Sequence, residues 1–137
     1  MLAQYEINRE RDENIFVAAD TDNVCPVHFH RKVEVMYVLS GEKRVSAAGK
    51  EIVLARDNVY FANSYEMHGY EESAGGRQTV IVFPNRMLAD YYESFGDKLM
   101  GGNVIRDEEF CRTLLPHFSA IAEGAENKLV IQAHCDM

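Results

Sequence analysis

Short hydrophobic runs separated by turn residues fill the chain up to Pro84, and this spacing constrains the fold more than any other feature. The runs are rich in β-branched and aromatic residues and are punctuated by pairs such as Gly41-Glu42, Gly49-Lys50 and Gly75-Gly76, which is typical of strands and turns. Many short strands at regular intervals favour an antiparallel sandwich or barrel over alternating strand–helix units. We predict strands at Ile15–Ala18, Val27–His30, Val33–Ser40, Arg44–Ala47, Glu51–Leu54, Asn58–Ala62, Met67–Glu71 and Gln78–Phe83.

The hydrophobic period changes after Pro84 to that of helices. A first helix is indicated by Leu88, Tyr91 and Phe95. A second begins after Asp107, which can cap it, and carries the apolar stripe Phe110, Leu114, Phe118 and Ile121. Pro116 lies inside this second helix, where we expect a kink or an early break.

A third amphipathic stretch starts near Glu126 and reaches Met137 without a stop signal. This pattern favours a natural chain that continues past Met137, and the alternative is a natural C-terminus that frays. Neither a linker nor an internal repeat separates the strand-like part of the sequence from the helix-like part, so we expect one domain. It comprises a charged N-terminal arm over residues 1–13, a barrel over 14–84 and a helical extension over 85–137.

Charge and composition exclude several function classes. Acidic residues outnumber basic ones by 22 to 14, for a net charge of −8, whereas contacts to phosphates need a surplus of Lys and Arg. The sequence has no apolar run long enough to span a membrane and no leader-like start, so we expect a cytoplasmic protein that contacts no membrane. Three cysteines at unrelated spacings fit a reducing compartment.

The segment with the clearest chemistry contains His28, His30 and Glu34. Residues two apart on a strand share a face and lie roughly 6–7 Å apart, so His28 and His30 project together, with Glu34 at the same parity. Two imidazoles and a carboxylate suit Zn, Ni, Mn or non-haem Fe with open coordination positions. A later strand supplies His68 as a fourth ligand if the sheet curls over.

The same residues also have a purely structural interpretation. Two histidines can satisfy each other in a half-buried sheet, and Glu34 can pair with Arg31 or Lys32. Local chemistry alone leaves the two interpretations open. Tyr70 shares the parity of His68 and is the tyrosine best placed to bind a ligand in a pocket.

Two stretches resemble the conserved motifs of the cupin superfamily. The pattern His28-x-His30-x3-Glu34-x6-Gly41 resembles the first motif, and Arg56 to His68 resembles the second. The resemblance implies a mainly β, cupin-like double-stranded β-helix (a jelly-roll barrel) with these His and Glu side chains at its mouth. The sequence departs from the pattern at turns: Asp22 replaces a common Gly, Asp57-Asn58 replaces a Gly-Asp pair, and Asn63-Ser64 replaces Pro-Gly.

The whole chain resembles the N-terminal effector-binding domain of AraC-type transcription regulators: an arm, a cupin barrel, Phe83-Pro84 closing the last strand, and two to three trailing α-helices. The resemblance implies a homodimer that binds DNA only through a helix-turn-helix half absent from this chain. It also implies a small-molecule effector, often a sugar, in the barrel.

These observations lead to one principal function and one alternative. We expect an effector-sensing and dimerisation domain of a bacterial regulator with no catalytic residues, whose effector contacts are His28, His30, Glu34, His68 and Tyr70. The ligand is a small molecule or a divalent metal held by His28, His30, Glu34 and His68. The alternative is a stand-alone metal-dependent cupin enzyme, an oxygenase, isomerase or lyase, with the same four ligands.

Overall fold

The computed structural model describes residues 4–5, 15–29, 32–63, 66–83 and 104–123. Within these residues the chain forms ten strands and one α-helix. The strands are β1 (Gln4–Tyr5), β2 (Phe16–Thr21), β3 (Cys25–Phe29), β4 (Val33–Ser40), β5 (Lys43–Ala47), β6 (Lys50–Leu54), β7 (Val59–Ala62), β8 (His68–Tyr70), β9 (Arg77–Phe83) and β10 (Val104–Ile105), and the helix is α1 (Glu108–Glu123).

The strands form two five-stranded sheets. Sheet I has the order β1-β3-β8-β5-β6, and sheet II has the order β10-β7-β4-β9-β2. Every pairing is antiparallel except that of β1 with β3, which is parallel. Because consecutive strands often lie in different sheets, the two layers are interleaved along the sequence, and the mainly β, cupin-like architecture is confirmed.

The predicted strands all have observed counterparts, whose described ends differ from the prediction by at most three residues. Two strands were not predicted, β1 and β10, and each is only two residues long. A two-residue strand has no periodicity of its own, since it is defined only by the backbone of the strand beside it.

Sheet II is buried on both faces. One face packs against sheet I in a core that joins Met36 and Val38 of β4 to Val45 and Leu54. The opposite face packs against α1 through Val35 and other residues of alternate parity. Residues 35–39 of β4 therefore form a continuous apolar run, because the alternate side chains of the strand pack in two different layers.

Helix α1 covers the outer face of sheet II with the stripe predicted from the sequence. Leu114, Phe118 and Ile121 are buried there, so the stripe packs within the domain. Asp107 caps the helix, since its Oδ1 accepts a hydrogen bond from the Phe110 amide at 3.1 Å. The helix runs through Pro116 to Glu123, so of the two outcomes expected there, a kink or an early break, the early break does not occur.

The other two predicted helices, near Leu88–Phe95 and from Glu126, lie outside the described residues, as do most of the arm over residues 1–13 and both ends of the helical extension over 85–137. In the described part of the chain, no helix has the length and apolar character needed to cross a membrane.

Replacing the capping residue of α1 tests how much the cap contributes to the stability of the domain. We expect Asp107→Ala to lower the free energy of unfolding by about 1 kcal/mol, because the Phe110 amide loses its acceptor. Asp107→Ser keeps a capping oxygen and serves as the matched control, and urea denaturation measures both. An equal loss in the two variants would show that the cap contributes nothing.

Candidate ligand and metal site

Three buried side chains with metal-ligating atoms meet between the two sheets. His28 on β3 and His68 on β8 are directly paired across sheet I, while Glu34 extends from β4 of sheet II. Each is at most 3% exposed, and one ligand atom from each lies within 4.8 Å of the other two. The carboxylate and the imidazoles thus reach one point from opposite sheets and not, as the parity argument suggested, from one face.

Backbone carbonyls fix the orientation of both imidazoles. His28 Nδ1 lies 2.8 Å from the Pro26 carbonyl oxygen, and His68 Nδ1 lies 2.9 Å from that of Glu66. A carbonyl oxygen only accepts, so Nδ1 is the donor in each ring and the lone pair of the neutral ring is on Nε2. Metal-ligating histidines in proteins are commonly held in this way.

Glu34 is held by neighbours from sheet I. The Tyr70 hydroxyl donates a short hydrogen bond to Glu34 Oε2, and His68 Nε2 lies 3.4 Å from the same oxygen. Burial acts to lower the pKa of His68, but the hydrogen bond and charge of Glu34 outweigh it, so the pKa is raised. Burial, followed by the charge of Glu34, raises the pKa of Tyr70 well above its ordinary value.

Gly69 allows β8 to lie close enough to β3 for this arrangement. A Cβ at Gly69 would stand 2.9 Å from the Val27 backbone nitrogen, closer than packed atoms tolerate. The approach coincides with the irregular register between Cys25 and His28. It places the ring centroids of His28 and His68 4.3 Å apart.

A cavity of about 140 Å³ adjoins these side chains. Its lining combines polar side chains, those of Asn23, His28, Glu34 and Tyr70, with apolar ones. The lining residues are Phe16, Asn23, Val24, Cys25, His28, Glu34, Tyr70 and Val80. The sequence had not pointed to Phe16, Asn23, Val24 or Val80. These residues belong to no sequence motif, and they meet only when β2, the β2–β3 loop and β9 assemble.

The structure brings together four of the five predicted site residues: His28, Glu34, His68 and Tyr70. His30 lies outside the described residues. Tyr37 points to the opposite side of sheet II, where its ring packs on Phe118.

Asn23 is held at the cavity by a chain of polar contacts. Lys43, fully buried, lies 2.6 Å from Asp22 Oδ1, and Asp22 accepts hydrogen bonds from the amide and hydroxyl of Ser73 at 2.9 and 2.8 Å. The Ser73 hydroxyl accepts a hydrogen bond from Gln78 Nε2 at 3.3 Å. Gln78 Oε1 in turn accepts one from the backbone amide of Asn23 at 2.9 Å. The network ties the β2–β3 loop to β5 and β9.

The triad of His28, Glu34 and His68 fits a divalent transition metal. Two imidazole nitrogens and one carboxylate oxygen are ligands that Zn, Ni, Mn and Fe accept, and both rings are oriented by backbone acceptors.

Comparison with known proteins gives one family. The family model described as the AraC-like ligand binding domain matches residues 15–135. Among curated proteins, no sequence matches this chain.

Solved structures similar to this chain include proteins named as cupins and enzymes. An RmlC-like cupin from Shewanella frigidimarina NCIMB 400 is 27% identical, with a TM-score of 0.46 over 55% of this chain and 70% of that chain. KdgF from Halomonas sp. is 20% identical, with a TM-score of 0.44 over 56% of this chain and 76% of that one. A predicted oxalate decarboxylase from Thermotoga maritima is 20% identical, with a TM-score of 0.42 over 51% and 63%.

The polar network predicts a specific dependence of stability on pH. Burial acts to raise the pKa of Asp22, but hydrogen bonds from Lys43 and Ser73 outweigh it and lower the pKa to about 2, from 3.8. Because the folded-state pKa is depressed, the stabilisation is complete above about pH 4 and is lost as the pH falls toward about 2. We expect the difference in unfolding free energy between wild type and Asp22→Asn to shrink over that interval.

Urea denaturation at several pH values measures this difference. Asp20→Asn removes an exposed carboxylate two residues away and is the control, for which we expect a much smaller effect on stability. A difference for Asp22→Asn that stays constant down to about pH 2 would contradict the role assigned to Asp22.

Proposed function

The chain belongs to the AraC-like ligand binding domain family, and on that premise we propose that it is the effector-sensing domain of a bacterial transcription regulator. Its ligand lies between the two sheets, against His28, Glu34, His68 and Tyr70. Ligand occupancy controls DNA binding by a helix-turn-helix segment outside this chain, because a ligand that favours one arrangement of the domain shifts the population toward it.

The ligand that the geometry supports best is a divalent transition-metal ion held by His28, Glu34 and His68. The observation that carries this proposal is the convergence of their three ligand atoms within 4.8 Å at a fully buried point. His30, in the sequence pattern His28-x-His30, is the candidate fourth ligand. When bound, the ion supplies positive charge that compensates the buried carboxylate and joins the two sheets.

A small organic effector is the second candidate, favoured by the cavity of about 140 Å³ beside the triad. It would contact polar residues of the cavity lining, among them His28, Glu34 and Tyr70.

Strand β4 offers a route from the ligand to helix α1. Glu34 faces the site, and Tyr37, three residues further along the strand, faces the helix. The Tyr37 hydroxyl donates to Asp57 Oδ1 at 2.7 Å, and Asp57 Oδ2 lies 3.6 Å from Arg112 on α1. A shift of β4 on ligand binding would therefore reach the helix through contacts already in place.

Metal analysis tests the proposed ligand directly. After incubation with Zn, Ni, Mn or Fe and removal of excess ion, we expect about one equivalent of metal per chain in the wild type. His28→Ala combined with His68→Ala is expected to hold less than about a tenth of that, since two of the ligands are gone. Elemental analysis and isothermal titration calorimetry measure both.

His117→Ala is the matched control, because His117 lies on α1 away from the site. Tyr70→Phe removes the hydroxyl that holds Glu34, and we expect its metal affinity to fall about tenfold. A wild-type protein that retains none of the four metals would overturn the metal proposal and leave the organic effector. Metal-dependent oxygen uptake with a small substrate would instead favour the cupin-enzyme alternative.

We also propose a homodimer, with ligand binding altering its stability. Sedimentation velocity of the wild type is expected to give twice the monomer mass, with a dissociation constant that changes when Zn is added, since α1 packs on the sheet that carries Glu34. A monomer at all accessible concentrations, with and without metal, would contradict this proposal.

A further inference from the structure

The cavity beside the triad is acidic, and the residues that line it in the described part of the chain include no lysine or arginine. Glu34 is the one formally charged side chain in that lining, and it is almost fully buried. Burying a second negative charge beside it would be opposed by desolvation and by repulsion, whereas a positive charge would be attracted. The lining thus selects against anionic ligands.

We propose that the cavity binds a compact organic ammonium ion, with Glu34 as its counter-ion and Asn23 as a specificity-determining acceptor. This inference rests on the proposed role of the cavity as the ligand site, and it names the class of organic ligand that the site takes.

The orientation of the Asn23 amide is set by the structure. Its Nδ2 donates to the carbonyl oxygens of Gln78, at 3.1 Å, and Thr21, at 3.3 Å. Since carbonyl oxygens only accept, the amino group must face them, and Oδ1 is the atom that Asn23 offers to a ligand. An amide oxygen accepts from N–H or O–H donors, so a ligand at this position must carry a donor.

The buried cation of the polar network, Lys43, is already paired outside the cavity lining. Lys43 contacts Asp22 at 2.6 Å and donates to the Glu71 carbonyl oxygen at 2.5 Å. Its charge is therefore balanced within the network that holds Asn23, and it does not make the cavity attractive to an anion.

The remaining wall suits a short hydrocarbon body. Phe16, Val24 and Val80 contribute apolar surface, and Phe16 is an aromatic residue, of the class whose rings attract ammonium groups. The volume of about 140 Å³ is close to the roughly 150 Å³ of an engineered cavity that binds benzene. We therefore expect an ammonium ligand of about benzene's size.

A metal ion and an ammonium ligand would both require the charge of Glu34. We therefore expect them to compete, so that saturating Zn²⁺ suppresses ammonium binding and the metal-free domain binds it.

Three probes of similar size separate the charge classes: n-butylammonium, 1-butanol and butyrate. Each is titrated at constant ionic strength into ¹⁵N-labelled, chelator-treated wild-type protein, and amide resonances are followed by NMR. We expect saturable shifts at residues 23–25 and 68–70 with n-butylammonium and binding at least tenfold weaker with the other two. Equal binding of all three, preferred binding of butyrate, or no saturable binding of the ammonium would overturn the proposal.

Variants then test the two named residues. We expect Glu34→Gln and Asn23→Ala each to weaken n-butylammonium binding about tenfold, because the first removes the negative charge and the second removes the amide oxygen that accepts from a charged donor. Val53→Ala, on β6 outside the cavity lining, is the control. Unchanged ammonium affinity in a folded Asn23→Ala protein would overturn the role of Asn23, and the wild-type probe series remains decisive if that variant does not fold.

Zn²⁺ titration separates this inference from the proposed function. Metal bound at the triad without any ammonium selectivity would overturn the inference and leave the metal proposal standing. Ammonium selectivity in a protein that never binds metal would support the inference and overturn the metal proposal.

Discussion

The burial of the Glu34 carboxylate between two apolar sheets is the constraint on which the rest of the structure depends. An ionised carboxylate in such a place is tolerated only when neighbouring groups donate to it or balance its charge. The Tyr70 hydroxyl donates to it from the facing sheet, and His68 Nε2 lies 3.4 Å from the same carboxylate oxygen. The polar contacts at the centre of the domain therefore fix how sheet I sits on sheet II, a relation that apolar packing alone specifies less sharply.

Strand β4 gives the domain its three-layer order. Its even-numbered residues line the interior between the sheets, and its odd-numbered residues meet the helix. A single strand thus carries the buried carboxylate and the hydroxyl of Tyr37, which bonds to Asp57 in the turn beneath α1. Because β-strand geometry rigidly alternates the two sets, the ligand side and the helix side of the domain share one backbone segment.

The strands, the second helix and the triad could be predicted because each leaves a local signal: alternation, a capping aspartate, or histidines at motif spacing. The cavity lining could not, since Phe16 lies on β2, Asn23 in the β2–β3 loop and Val80 on β9, and they are neighbours only after the sheets form. Departures from the motif also gained a physical meaning. Asp57 adopts a φ of 63° at a turn where glycine is common, and its carboxylate accepts a hydrogen bond from the Tyr37 hydroxyl.

The short parallel strand β1 covers part of one edge of sheet I. It pairs with β3 opposite His28 and Phe29, so it occupies the hydrogen-bonding edge of the strand that carries the first histidine. An uncovered edge of this kind is a template for pairing with another molecule. Residues 4–5 therefore cover this part of the sheet edge. A chain shortened past them would expose β3 to other protein molecules as a site for intermolecular sheet formation.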